Sequence, residues 1–311
     1  MISSWFIFAL VGVVLYSVTQ IIDKVSVDKI FDTISGWLAA AGIFGVIPLG
    51  MMLMKGGDLS ISNEFMALSI FAGLVQFGAY YFYGRAIVEE GADIISALWQ
   101  MLPIYACVAG FFFLGESLSL LNTLGVLAVA MIAFYLSFPK KQKGLINTLK
   151  NICTRPVFLY MQIACAMTII STLCIDFMVE TTSSDAVFVW NYVGYIIYGL
   201  ITLFFVKGKK AGAFALIKDP KKLAFLVVAV SAVEILDGVA GYALMNAYSM
   251  AAYGIVTAVQ ALQPLCIISI VAFANMVKQG LLTDMVDNNR TLATKLPAFA
   301  GMFMGVYIML V

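Results

Sequence analysis

Glu234 and Asp237 stand three residues apart, with no charged residue from Leu223 to Val233 ahead of them or from Gly238 to Val277 behind. A spacing of three sets both carboxylates on one helical face. Two carboxylates that close repel when both are ionised, so the pair either shares a proton or recruits a cation. Proton exchange or the binding of a positive group is therefore the predicted chemistry. The structural alternative is a pair near a watery helix end, or one tied to Arg85 or to backbone amides.

Uncharged polar residues supply a second set of candidates. Trp99 and Gln100 precede Pro103, and Gln260 and Gln263 precede Pro264. A buried amide needs a partner, and a proline frees the carbonyl one turn before it to line a cavity. With Gln76, these are the predicted binding residues. Tyr80, Tyr81, Tyr83 and Tyr242 could offer hydroxyls or ring faces to a cation, or serve as interfacial anchors; Tyr81 and Tyr242, repeat mates, are the two taken as site candidates. The chain holds no His, which removes the commonest general base and the usual zinc ligand. Its five Cys form no Cys-x-x-Cys pair, and no Walker A sequence occurs. Neither a catalytic centre, nor a metal site, nor a cofactor is expected, and the chain is not read as an enzyme.

What must position these residues is a membrane-embedded helical scaffold. Of 311 residues, 63% are apolar and 11% charged, and the mean hydropathy is +1.01. Soluble domains are about 45–50% apolar and about 25% charged. A net charge of +1 offers no field for a nucleic acid. A spanning helix takes about 20 apolar residues. Charge-free stretches of that length are Met1 to Ile22, Thr33 to Met54, Phe65 to Gly84, Ile94 to Gly115, Ser117 to Pro139, Pro156 to Ile175 and Ala186 to Val206. An eighth starts near Leu223, a ninth runs from Ala252 to Met276, and a tenth from Ala293 to Val311. The first run lacks a basic start and a small-residue cleavage pattern, so it reads as a span and not as a signal peptide. The unbroken length of the runs excludes a β-barrel.

The chain also resembles itself. A shift of 153 superposes Thr19, Ile22, Asp23, Asp32 and Trp37 on Thr172, Ile175, Asp176, Asp185 and Trp190. A shift of 161 superposes Tyr81, Ala86 and Pro103 on Tyr242, Ala247 and Pro264, and sets Gly73 and Gln76 opposite the acidic pair. The predicted fold is thus all-α and polytopic, with ten transmembrane helices in two five-helix repeats, 1–139 and 156–311, joined by a basic amphipathic linker, 140–155. An odd number of spans per unit inverts the second copy, an arrangement suited to alternating access. Lys and Arg fall 17 to 1 after odd-numbered spans, Lys55 being the exception. That asymmetry places both termini outside the cytoplasm.

Asp23 and Asp176, repeat mates at the ends of spans one and six, are predicted gate or interface residues, as is Arg85 in the turn after span three. Trp37 and Trp190 read as interfacial anchors. Glu116 reads as a turn element near a helix start, where a negative charge is favoured.

Tyr83-Gly84-Arg85-Ala86, the stretch Gly91 to Pro103, Leu114-Gly115-Glu116-Ser117-Leu118-Ser119-Leu120 and Leu124-Gly125-Val126 together resemble the signature of EamA-type members of the drug/metabolite transporter superfamily. Ile22-Asp23-Lys24 looks like one prokaryotic branch of it. The resemblance implies a prokaryotic inner-membrane transporter of small metabolites, often an exporter, with a cavity between the halves. Two features differ from the family: its usual orientation has both termini cytoplasmic, and the Gly-Glu turn after helix four has no counterpart after helix nine. The expected function is secondary transport of small polar or amphipathic metabolites, possible coupling to a proton or other ion gradient running through Glu234 and Asp237, by a monomer or homodimer in the bilayer. A flippase for a lipid-linked or lipophilic substrate on the same scaffold is the alternative.

Overall fold

The computed structural model describes residues 3–29, 34–89, 95, 98–116, 118–137, 155–205, 220–277, 297, 300–302 and 304–308, and the structural statements below concern these. Their regular structure is helical, with short turns and connectors between the helices. In chain order come α1 (Ser4–Lys29), α2 (Ile34–Phe44), α3 (Val46–Lys55), α4 (Asn63–Glu89), α5 (Leu102–Ala109), a π-turn (Gly110–Leu114), α6 (Leu120–Ser137), α7 (Pro156–Val179), α8 (Ser184–Phe205), α9 (Pro220–Tyr248), α10 (Tyr253–Gln260) and α11 (Gln263–Val277). Residues 300–302 and 304–308 are helical as well.

Seven stretches are long and apolar enough to cross a membrane: Ser4–Asp23, Ile34–Lys55, Asn63–Glu89, Pro156–Val179, Ser184–Phe204, Leu226–Tyr248 and Tyr253–Ala274. Leu102–Leu114 and Leu120–Ile132 are shorter apolar helices. Ten spans are predicted from the sequence; much of the tenth falls outside the described residues, as do most of the 140–155 linker, Asp32, Glu90, Asp93 and the basic segments 207–219 and 278–296. Large apolar side chains point outward, Phe113 being 79% exposed and Phe112 73%. Water would penalise such a surface and hydrocarbon does not. The protein is an integral membrane protein.

The broadest helix contacts are α4 with α7 and α1 with α9, followed by α4 and α2 with α8. Small residues let these backbones meet. A Cβ at Gly73 would lie 2.1 Å from the Asn191 carbonyl oxygen, and one at Gly42 would lie 2.6 Å from Gly199 Cα. Two apolar clusters result, one around Trp37, Phe77 and Met161, the other around Val187, Leu244 and Tyr253; Trp99 and Tyr195 pack against both.

Prolines cut the helices where the sequence places them. Proline lacks an N–H and clashes with the carbonyl four residues earlier. Ahead of Pro103 the chain turns at Gln100 and Met101, and ahead of Pro264 it turns at Ala261 and Leu262. Both turns tighten to bonds spanning three residues: the Met101 N–H donates to Leu98 O at 3.2 Å and the Leu262 N–H to Val259 O at 3.0 Å.

The Gly115-Glu116 turn does more than reverse the chain. Gly115 takes a left-handed conformation, φ 69°, which only glycine adopts without strain. The following N–H closes the π-turn by donating to Gly110 O at 3.1 Å. The Glu116 carboxylate then accepts from the backbone N–H groups of Tyr253 at 2.6 Å and Gly254 at 3.4 Å. Helix α10 has no side-chain cap of its own. Glu116 therefore supplies the missing acceptor from 137 residues away, at the end of the helix where its dipole favours an anion. Glu116→Ala is expected to cost about 1–2 kcal/mol, seen as a lower unfolding temperature in detergent. Glu116→Gln, which keeps an acceptor and loses the charge, should fall between the two.

Candidate functional site

Because α1 packs along α9, Asp23 comes within electrostatic reach of Asp237, and Glu234 sits one turn before Asp237 on the same face. All three border a cavity of about 170 Å³. Asp237 is the middle residue of the Leu226–Tyr248 stretch, so the acidic pair belongs to the centre of a span and not to a helix end. Glu234 is 5% exposed. The Thr19 side chain lies within hydrogen-bonding reach of Asp237, and that of Trp37 within reach of Asp23.

The remaining wall comes from both halves of the chain. Helix α1 contributes Tyr16, Thr19 and Gln20; α4 contributes Gln76, Phe77, Tyr80 and Tyr83; Trp99 stands just before the α5 break. From the second half come Thr168 and Thr172 of α7, Asn191, Tyr192 and Tyr195 of α8, Tyr248 of α9, and Gln260 and Gln263 flanking the α10–α11 break. The amides are mutually engaged: Gln263 Nε2 donates to Gln20 Oε1 at 2.9 Å, Gln20 Nε2 to the Tyr83 hydroxyl at 3.4 Å, and Gln260 Nε2 to the Tyr248 hydroxyl at 2.9 Å.

Of the residues singled out from sequence, Glu234, Asp237, Gln76, Trp99, Gln260, Gln263 and Asp23 border this cavity. Gln100, Tyr81, Tyr242, Asp176 and Arg85 do not, and helical register explains most of it. Positions 76, 80 and 83 of α4 share a face, which turns Tyr81 and Arg85 aside; positions 234, 237, 241 and 248 of α9 share another, which turns Tyr242 aside. Gln100 is buried next to Trp99. Arg85 donates to the Tyr160 hydroxyl at 3.3 Å and stacks 5.3 Å from its ring centre. Asp176 is 1% exposed, its Oδ2 has no hydrogen-bond partner, and its repeat mate Asp23 alone reaches the cavity. Trp37, expected at the interface, is buried at the cavity wall instead. Of the four tyrosines singled out, Tyr80 and Tyr83 border the cavity too; sequence reasoning missed Tyr16, Thr19, Gln20, Thr172, Asn191, Tyr192, Tyr195 and Tyr248 as wall residues. A walk back from Asp23 in steps of three and four reaches Gln20, Thr19 and Tyr16, and that signal was available.

Away from the cavity, Lys55 at the end of α3 joins Asp185 at the start of α8 and Tyr242 of α9. Its Nζ lies 2.8 Å from Asp185 Oδ1 and 2.7 Å from the Tyr242 hydroxyl, which itself donates to Asp185 Oδ1 at 2.7 Å. The ammonium also sits 4.6 Å from the Tyr242 ring centre. Three helices are thus tied together at one end of the molecule by the sole basic residue that the charge count assigns to that side.

Residues 3–138 match the EamA-like transporter family, which bears out the resemblance carried by Tyr83 to Val126. No curated protein matches the chain. A crystal structure of another protein superposes on 99% of this chain and 99% of its own, with a TM-score of 0.70 at 14% identity; at that identity the likeness shows the fold alone.

The Lys55 side chain is 48% exposed and that of Asp185 13%, so solvent screens the pair. A double-mutant cycle on Lys55→Met and Asp185→Asn, read by thermal unfolding in detergent, is expected to give a coupling of about 0.2–1 kcal/mol. Tyr242→Phe should lower stability by a similar amount.

Proposed function

We propose that this membrane protein, EamA-like over residues 3–138, is a secondary active transporter of small polar or amphipathic metabolites, working by alternating access as an exporter or exchanger. The observation that carries this reading is a cavity placed among spanning helices of both halves, its largely aromatic and apolar wall bearing the carboxylates of Asp23, Glu234 and Asp237. A charge at the bilayer centre costs roughly 2.5–3.5 kcal/mol even on insertion scales. Three carboxylates around one hollow need a function that uses them.

Two inverted five-helix units are the architecture we assign. Under the repeat, span one exchanges with span six and span three with span eight. The two broadest helix contacts, α1 with α9 and α4 with α7, exchange with each other under that operation. Such a pairing suits a machine in which one bundle rocks against the other around a fixed site. The Lys55–Asp185–Tyr242 tie has to open when the cavity faces that end and close when it faces the other.

Coupling is assigned to Glu234 and Asp237, with Asp23 as the third member. Carboxylates this close do not all remain ionised in an apolar setting without a counter-charge, so loading a proton and loading a cationic group are competing ways to neutralise the site. That competition makes exchange of one for the other obligatory. Glu234→Gln and Asp237→Asn are each expected to abolish uptake driven by an imposed pH gradient in proteoliposomes, with unfolding temperatures near that of the parent; undiminished gradient-driven uptake would remove the pair from the coupling role. The 17 to 1 distribution of Lys and Arg assigns both termini to the non-cytoplasmic side. A cysteine added after Val311 should react with an impermeant maleimide in intact cells, and labelling only after lysis would reverse the orientation.

A further inference from the structure

The cavity wall is unbalanced in two respects. Three carboxylates face it, and among the described residues no Lys or Arg does. Its hydrogen-bonding groups are unbalanced in the same sense. Gln263 Nε2 donates to both Gln20 Oε1 and Tyr16 O, and the amides of Gln20, Gln260 and Asn191 each donate to a neighbouring oxygen. Two pure acceptors, Gln76 Oε1 and Asp237 Oδ1, are buried without a hydrogen-bond partner, as is the Thr168 hydroxyl, which can donate or accept. Gln76 is only 8% exposed and borders the hollow. The unpartnered buried nitrogens, on Gln162 and Trp190, do not border it.

A buried acceptor left unmade costs about 1–3 kcal/mol. The complement of these groups carries positive charge and N–H donors together. Aromatic faces form much of the rest of the wall, which suits a cation and an apolar body alike. A cavity of about 150 Å³ accommodates one benzene-sized group, and this one is about 170 Å³.

We infer that the site takes a protonated primary amine carrying a single-ring or similarly sized apolar body, with the ammonium held between the carboxylates of Asp23, Glu234 and Asp237 and the Gln76 Oε1. The inference rests on the transport reading above and narrows its substrate class. A quaternary ammonium has the charge without the donors. An amino acid adds a carboxylate for which the wall holds no counter-charge. Both are discriminated against for stated reasons.

The test compares four ligands that share a phenylethyl body, by calorimetric titration of the purified protein in detergent: phenethylamine, its N,N,N-trimethyl derivative, phenylalanine and 3-phenylpropionate. Saturable binding of phenethylamine is expected, with the trimethyl compound at least tenfold weaker and no saturable binding of phenylalanine or phenylpropionate. Asp237→Asn should weaken phenethylamine at least tenfold, and Gln76→Met, which keeps the volume and removes the acceptor, several-fold. Should either variant fail to fold, the ligand order on the parent protein decides alone. Equal or tighter binding of the trimethyl compound or of a carboxylate overturns the inference, as does binding of none of the four. Flux of the bound ligand into proteoliposomes is measured separately. Binding in the expected order without flux would keep the ligand class and defeat the transport reading, whereas flux of a carboxylate ligand would do the reverse.

Discussion

The structure depends on keeping carboxylates in the interior of a body whose outside is hydrocarbon. An ionised carboxylate removed from water without compensation is so costly that the surroundings must neutralise it or supply donors. Here the compensation is partial by construction. Thr19 and Trp37 reach Asp237 and Asp23, while no basic side chain among the described residues borders the hollow. The scaffold around it is correspondingly firm. Glycines at 42, 73, 194 and 199 bring backbones into contact across α2, α4 and α8, and the tyrosine and amide side chains between them are bonded to one another. A closely packed wall around an under-neutralised centre leaves the charge to be met by whatever enters the hollow.

Backbone irregularity is confined to places where it exposes polar groups to that centre or is itself repaired. In a membrane, a broken helix is tolerated where it lines a cavity or finds new partners. The breaks before Pro103 and Pro264 put Trp99, Gln260 and Gln263 on the cavity wall. The start of α10 lies away from the hollow, and its N–H groups are satisfied by Glu116. Thus Glu116 performs a structural task with the same kind of side chain that, in Glu234, borders the hollow. The difference is that two backbone N–H groups converge on it.

Much of this was legible in the residues themselves. Span lengths, the proline breaks and the spacing of Glu234 and Asp237 are one-dimensional patterns, and they carried over into helices and a shared face. The inward position of Asp23 was not legible in this way. It sits at the end of the Ser4–Asp23 stretch, where a charge is unremarkable in sequence, and only the packing of α1 along α9 brings it to Asp237. Trp37 misled for the same reason: a tryptophan near a span end reads as an anchor, and the tertiary arrangement turned it inward to Asp23. Asp176 fails in the opposite direction. Its alignment with Asp23 under the repeat suggests equivalence, yet Ile175 borders the hollow in that region and Asp176 does not. An alignment of residue types along the chain does not carry side-chain environment with it.

That loss of equivalence has a mechanical meaning. If both halves presented the same charges to the hollow, the two end states of a rocking motion would be electrostatically alike, and nothing in the site would favour one over the other. Under the proposed repeat, Glu234 and Asp237 align instead with the uncharged Gly73 and Gln76, and Lys55 is committed to Asp185 and Tyr242. The tie is local, solvent-screened and worth little more than thermal energy, so it can break without a large input. The deeper carboxylates differ in strength of demand, because burial leaves them dependent on whatever occupies the cavity. On the proposed transport reading, a weak latch at the surface and a strong, occupant-dependent charge at the centre would give control of the equilibrium to the ligand, since only a species that binds the two states unequally can shift it.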